Sequence, residues 1–142
     1  MEPEPTEAPR PGISGAADFE LVAILLAAGY FVALFLPWFS IASGWALRTG
    51  DDAGVIALAV VLAELLRLTG SWTSRGAQLV AFCLTAAAGI MGVTTFVTFR
   101  WGSGADISFS AFRYGAWIGL ALGILLIVVA AAQLNAARRS AS

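Results

Sequence analysis

No charged residue occurs between Ala77 and Phe99, and none between Tyr114 and Ala137. Each run exceeds the roughly 20 residues that an α-helix needs to cross the hydrocarbon of a bilayer. Two further apolar stretches precede them. Residues 19–39 carry one charge, Glu20, at their edge, and residues 53–68 carry Glu64 and Arg67 near their end. In hydrocarbon only helices and closed barrels satisfy their own backbone. The runs are too long and continuous for barrel strands, which are about 10 residues of strict alternation. The expectation is therefore all-α: an integral membrane four-helix bundle with spans at about 19–39, 53–68, 77–99 and 111–136.

Composition agrees with that class. The chain has 142 residues, 59% of them hydrophobic and 12% charged, and a mean hydropathy of +0.85. A single soluble core of this size could not hide so much apolar surface. The membrane domain is expected over 19–137, between two polar ends. Residues 1–18 hold Glu2, Glu4 and Glu7 among Pro3, Pro5, Pro9 and Pro11, a composition that predicts a disordered tail. Residues 138–142 form a short basic tail headed by Arg138 and Arg139.

Ser40-Ile41-Ala42 resembles a signal cleavage site. The residues before the first run are acidic where a secretory signal is basic, however, and the run is longer than a signal's apolar region. An uncleaved anchor is the expectation. Pro37 should end or kink that helix at its last turn, because it lacks the amide donor. With four crossings, Arg10, Arg67, Arg75, Arg138 and Arg139 share one side and Arg48, Arg100 and Arg113 the other. The excess of arginine places both termini in the cytoplasm.

Gly115, Gly119 and Gly123 recur every fourth residue in the last run, so they form one flat strip along a helix. In lipid such a strip lets a second helix approach closely and pack by dispersion. Ala81, Thr85, Ala88, Gly89 and Gly92 offer a matching small-residue face on the third run, and that face is the expected partner. Self-association, or binding to a larger membrane complex, is the other use of the ladder.

Several chemistries are excluded by what is missing. The chain has no His and a single cysteine, Cys83, inside an apolar run. Imidazole- or thiolate-rich metal sites and His-based nucleophilic catalysis therefore have no residues to build on. Cys83 reads as a small buried apolar side chain. The basic residues form no cluster beyond Arg138-Arg139, which leaves nucleic-acid binding unsupported. No cofactor, metal or catalytic residue is expected.

Glu64 is the suspect by default, since intramembrane acids often carry protons or cations. Arg67 lies three residues on, on the same helical face, so a structural ion pair is the simpler reading. Trp38, Trp45, Trp101 and Trp117 fall near one membrane face and Trp72 near the other, an arrangement expected of an interfacial aromatic belt. Arg48, Arg100 and Arg113 face Asp51, Asp52 and Asp106 in the outer loops, where balanced exposed charges neutralise each other for little energy.

Three short motifs occur in order: Leu36-Pro37-Trp38-Phe39-Ser40 closing the first run, Ser43-Gly44-Trp45 after it, and Gly115-Ala116-Trp117-Ile118-Gly119 opening the last. In this the chain, over about residues 19–135, resembles a widespread group of small four-span membrane proteins of actinobacterial type. The resemblance implies four spans and a bacterial plasma (inner) membrane, and brings no activity with it. The functional expectation is a non-catalytic structural or accessory component that packs against itself or a membrane partner. The alternative is a small oligomeric transporter or channel using Glu64. A lipid-acting enzyme is least supported, for want of a nucleophile and base.

Overall fold

The computed structural model describes residues 15–38, 43–47, 49–101 and 109–139. Among them are four α-helices and no strand longer than a single bridge. The helices are α1 (Gly15–Ala33), α2 (Gly50–Leu68), α3 (Arg75–Trp101) and α4 (Tyr114–Arg139), with short 3-10 turns at Gly44–Ala46 and Phe109–Ala111. Each helix packs on its neighbours in sequence, and α4 returns to close the ring on α1. The diagonal pair α1 and α3 scarcely touch. The result is an up-and-down four-helix bundle, the arrangement that short connections favour.

Among the described residues, α3 over Arg75–Thr98 and α4 are the two helices long and apolar enough by themselves to cross a membrane. Two helices of that kind are weak support for a membrane protein. The helix bounds also differ from those expected. α1 starts at Gly15, within the stretch read as a tail, and ends at Ala33. Pro37 therefore stands beyond the helix, where it bridges Ser43. α2 begins at Gly50, ahead of residue 53, and the polar Asp51 and Asp52 occupy its first turn, where carboxylates suit the helix dipole. α3 extends through Arg100 and Trp101, which were expected in a loop. α4 carries Arg138 and Arg139 in its last turn, where cations suit the dipole.

Much of the interior is made of small residues, packed around a few large ones: Tyr30, Leu34, Trp38 and Leu126 are fully buried. Ala23, Ala27, Ala53, Ala57, Ala81, Ala88 and Ala116 are fully buried, while Leu25, Val32, Leu62, Leu79, Ile124 and Val128 stand exposed on the outside. A soluble bundle would not leave so extensive an apolar coat facing outward. Here helix axes can come close because little stands between them, and the branched side chains form the outer coat.

The end of the bundle opposite the chain termini is pinned by backbone bonds from the segment after α1. The Arg113 amide donates to Trp38 O at 3.0 Å, the Gly115 amide to Pro37 O at 3.2 Å, and the Trp45 amide to Leu34 O at 2.7 Å. Thr49 Oγ1 donates to Thr95 Oγ1 at 2.9 Å, tying the start of α2 to α3.

Candidate functional site

The polar centre of the molecule lies near the other end, where α1 and α3 begin and α2 and α4 finish. Gly50, Ala53, Ala57 and Val60 form the inward stripe of α2, and Glu64 is its next member. Glu64 is consequently 0% exposed. Arg67 Nη1 donates to Glu64 Oε2 at 2.7 Å from one turn further along α2. Gln133 Nε2, from α4, donates to Glu64 Oε1 at 2.8 Å. Thr85, on α3, is fully buried; its hydroxyl lies 2.9 Å from Ala81 O and 3.3 Å from Glu64 Oε1. Arg67 Nη2 reaches Glu20 Oε1 on α1 at 2.9 Å. One carboxylate thus meets side chains of its own helix and of α3 and α4, and Arg67 extends the network to α1.

The electrostatics follow from that list. A carboxylate removed from solvent is costly unless its lone pairs are met by donors, preferably charged ones. Both oxygens of Glu64 are met. Arg67 serves two carboxylates with two nitrogens of one planar group, a geometry that lysine could not reproduce. With both acids ionised, the Glu20–Arg67–Glu64 trio carries one excess negative charge. Gln133 Oε1 is buried without a donor. Its amide orientation is nonetheless fixed, because turning it over would set an oxygen against the Glu64 carboxylate.

No protein-family model, curated protein or solved structure matches the chain. The site must therefore be read from its own geometry. Among the described residues no three of His, Cys, Asp and Glu come together as a metal site. The cluster has a single guanidinium between its two carboxylates, with the Thr85 hydroxyl beside them. This arrangement ties the four helices together and holds charge.

The glycines divide their work. An added Cβ at Gly123 would lie 3.2 Å from Gly89 O and 3.3 Å from Gly92 Cα, so this rung packs directly on the small-residue face of α3. The other two rungs face elsewhere. A Cβ at Gly119 would overlap the Trp38 ring, and one at Gly115 would lie 2.7 Å from Pro37 O. The upper ladder is thus a socket for the segment that follows α1, with Trp38 as its plug.

Trp38 corrects the expected aromatic belt. It is fully buried, and its Nε1 donates to Ala33 O at 2.8 Å. Trp45 is half-buried and stacks on Phe35 with ring centres 5.1 Å apart. Trp117 is 46% exposed and lies 5.4 Å from Phe96. Trp72 is half-buried in the turn between α2 and α3. Trp101 ends α3. Cys83, expected to be buried, is exposed on the outer face of α3. Arg48, Asp106, Phe39 and Ser40 lie outside the described residues, so the outer-loop charge balance and the full Leu-Pro-Trp motif fall there too.

Glu20, Thr85 and Gln133 were not singled out as partners of Glu64 from the sequence. The signal that could have found them is positional. Each is a polar residue within an otherwise apolar helix, at the end that the up-and-down order brings alongside Glu64.

Proposed function

We propose that the chain is a four-span protein of a bacterial plasma membrane, both termini cytoplasmic, that serves as a structural or accessory component and not as an enzyme. The observation that carries this reading is the apolar outer coat of the bundle. Every one of the four helices turns large apolar residues outward, including α1 (Leu21, Leu25, Val32) and α2 (Val55, Leu58, Leu62). α2 carries Asp51, Asp52, Glu64 and Arg67 but turns Glu64 inward, and α1 places Glu20 against Arg67. Once clasped, the charges of Glu20, Glu64 and Arg67 leave an apolar perimeter that suits lipid on all sides. The order of motifs agrees with membership of the actinobacterial four-span group.

An accessory role is favoured because the features that could serve a reaction or self-association are occupied internally. Glu64 is engaged by Arg67 and Gln133, and the glycine ladder by Trp38, Gly89 and Gly92. Crosslinking in native membranes followed by native mass spectrometry tests it. A stoichiometric membrane partner is the expected result; a lone monomer would sink the accessory reading.

One observation favours a second reading, a small transporter. The excess negative charge of the Glu20–Arg67–Glu64 trio would suit a proton or cation. Glu64→Gln should then abolish proton- or cation-coupled uptake in reconstituted vesicles, and unchanged flux would retire the idea.

A further inference from the structure

Beside the clasp, at the end where α3 begins and α2 and α4 finish, a cleft of about 180 Å³ is lined by Arg67, Arg75, Gln78, Phe82, Gln133 and Leu134, among others. Its chemistry is two-sided. Leu79, Phe82, Leu134 and Ala137 give an apolar wall. Arg75 and Gln78 give polar groups in the first turn of α3, where the helix dipole favours an anion.

The cations at this end are not equivalent. Arg67 is committed to Glu20 and Glu64. Arg75 forms neither of the ion pairs among the described residues, and it is exposed. Arg138 follows the cleft residue Ala137 and stands one turn beyond Leu134 on the same helical side, also exposed. Arg75 in the lining, the exposed Arg138 next in sequence to the lining residue Ala137, and the apolar wall together fit an amphiphile carrying a negative head and a hydrocarbon tail.

We propose that this cleft binds an anionic phospholipid of the phosphatidylglycerol type. Its phosphate sits between Arg75 and Arg138, within reach of Gln78, and an acyl chain lies along Leu79, Phe82 and Leu134. Basic pockets between helices at the cytoplasmic face of a membrane are suited to such headgroups. The proposal rests on the membrane reading above and deepens it by naming the lipid and the face.

The test uses the full chain, purified in detergent, stripped of lipid and incorporated into nanodiscs of phosphatidylglycerol and phosphatidylcholine mixed in equal amounts. Lipid carried over on release into the mass spectrometer is then counted. Incorporation alone reports whether the chain is a membrane protein, and headgroup preference reports on the cleft. Phosphatidylglycerol should be retained over phosphatidylcholine. Arg75→Gln and Arg138→Gln should each weaken that preference by about five-fold, the effect of one arginine near an anionic headgroup. Arg113→Gln, at the opposite end, should leave it unchanged. Equal retention of the two lipids, or an Arg75→Gln variant that retains lipid like the parent, would overturn the proposal. Displacement of the bound lipid by millimolar inorganic phosphate alone would also overturn it, since that would mark a simple anion site.

Discussion

Glu64 is the residue whose surroundings are most demanding. Its carboxylate has no access to solvent, and its stability depends on Arg67, Gln133 and Thr85 keeping their positions. Removing one partner of a buried ion pair costs about 3–5 kcal/mol, because the remaining charge is left uncompensated. Glu64→Ala should cost about 3 kcal/mol, at the lower end, since Arg67 keeps Glu20. Glu64→Gln still offers Gln133 an acceptor and should cost less than Glu64→Ala. Thermal unfolding of the detergent-purified protein, followed by helical circular dichroism, measures both. A Glu64→Ala protein as stable as the parent would show that the clasp holds nothing. The Glu64–Arg67 contact was legible in the sequence, because a spacing of three on a helix leaves the side chains adjacent. The contact with Gln133 was not, for the two residues are 69 positions apart.

At the scale of the element, the fourth helix shows how a single repeat can serve two neighbours. Gly123 meets α3, whereas Gly115 and Gly119 receive Pro37 and Trp38 from beyond the end of α1. The four-residue spacing revealed the strip but not what would fill it. Trp38 reads as an interfacial indole because it follows a proline at the end of an apolar run. Its burial depends on the chain folding back at Ser43 and on the space left by the absent side chains of Gly44 and Gly119. Substitution should separate close approaches from ordinary glycines. Overpacking a well-filled interior costs about 1–3 kcal/mol. Gly119→Ala, against the Trp38 ring, and Gly89→Ala, whose Cβ would stand 2.8 Å from Gly123 O, should each lose stability of that order. Gly29→Ala, with its nearest neighbour Leu122 Cδ1 at 3.7 Å, should be tolerated. If all three behave alike in the same unfolding assay, the socket has been misread.

For the molecule as a whole, the decisive property is which solvent surrounds it. Cys83 offers a direct probe, because it is the only cysteine and stands exposed on the outside of α3. In a membrane that thiol faces acyl chains, out of reach of a charged, water-soluble reagent. A charged, impermeant maleimide should leave Cys83 unlabelled in intact and in broken membrane vesicles, and label it fully after denaturation in dodecyl sulfate. Rapid labelling of the folded protein in vesicles would mean that α3 is bathed in water, and the four-span reading would fail with it.

The number of helices, their approximate places and their apolar character follow from the sequence by itself, because hydropathy and chain length are local properties. So does the adjacency of Glu64 and Arg67, which one turn of helix guarantees. The rotation of α1 about its own axis was decided only by tertiary structure, since it is apolar on nearly every side and no periodic stripe marks which face turns inward. In α4 the glycine strip marked the packing face, but not what each rung would meet. Rotation decides that Trp38 is a plug, that Cys83 looks outward, and that Glu20, Thr85 and Gln133 converge on one buried pair. Those contacts exist only when all four helices are in place together, and no local stretch of chain carries them alone.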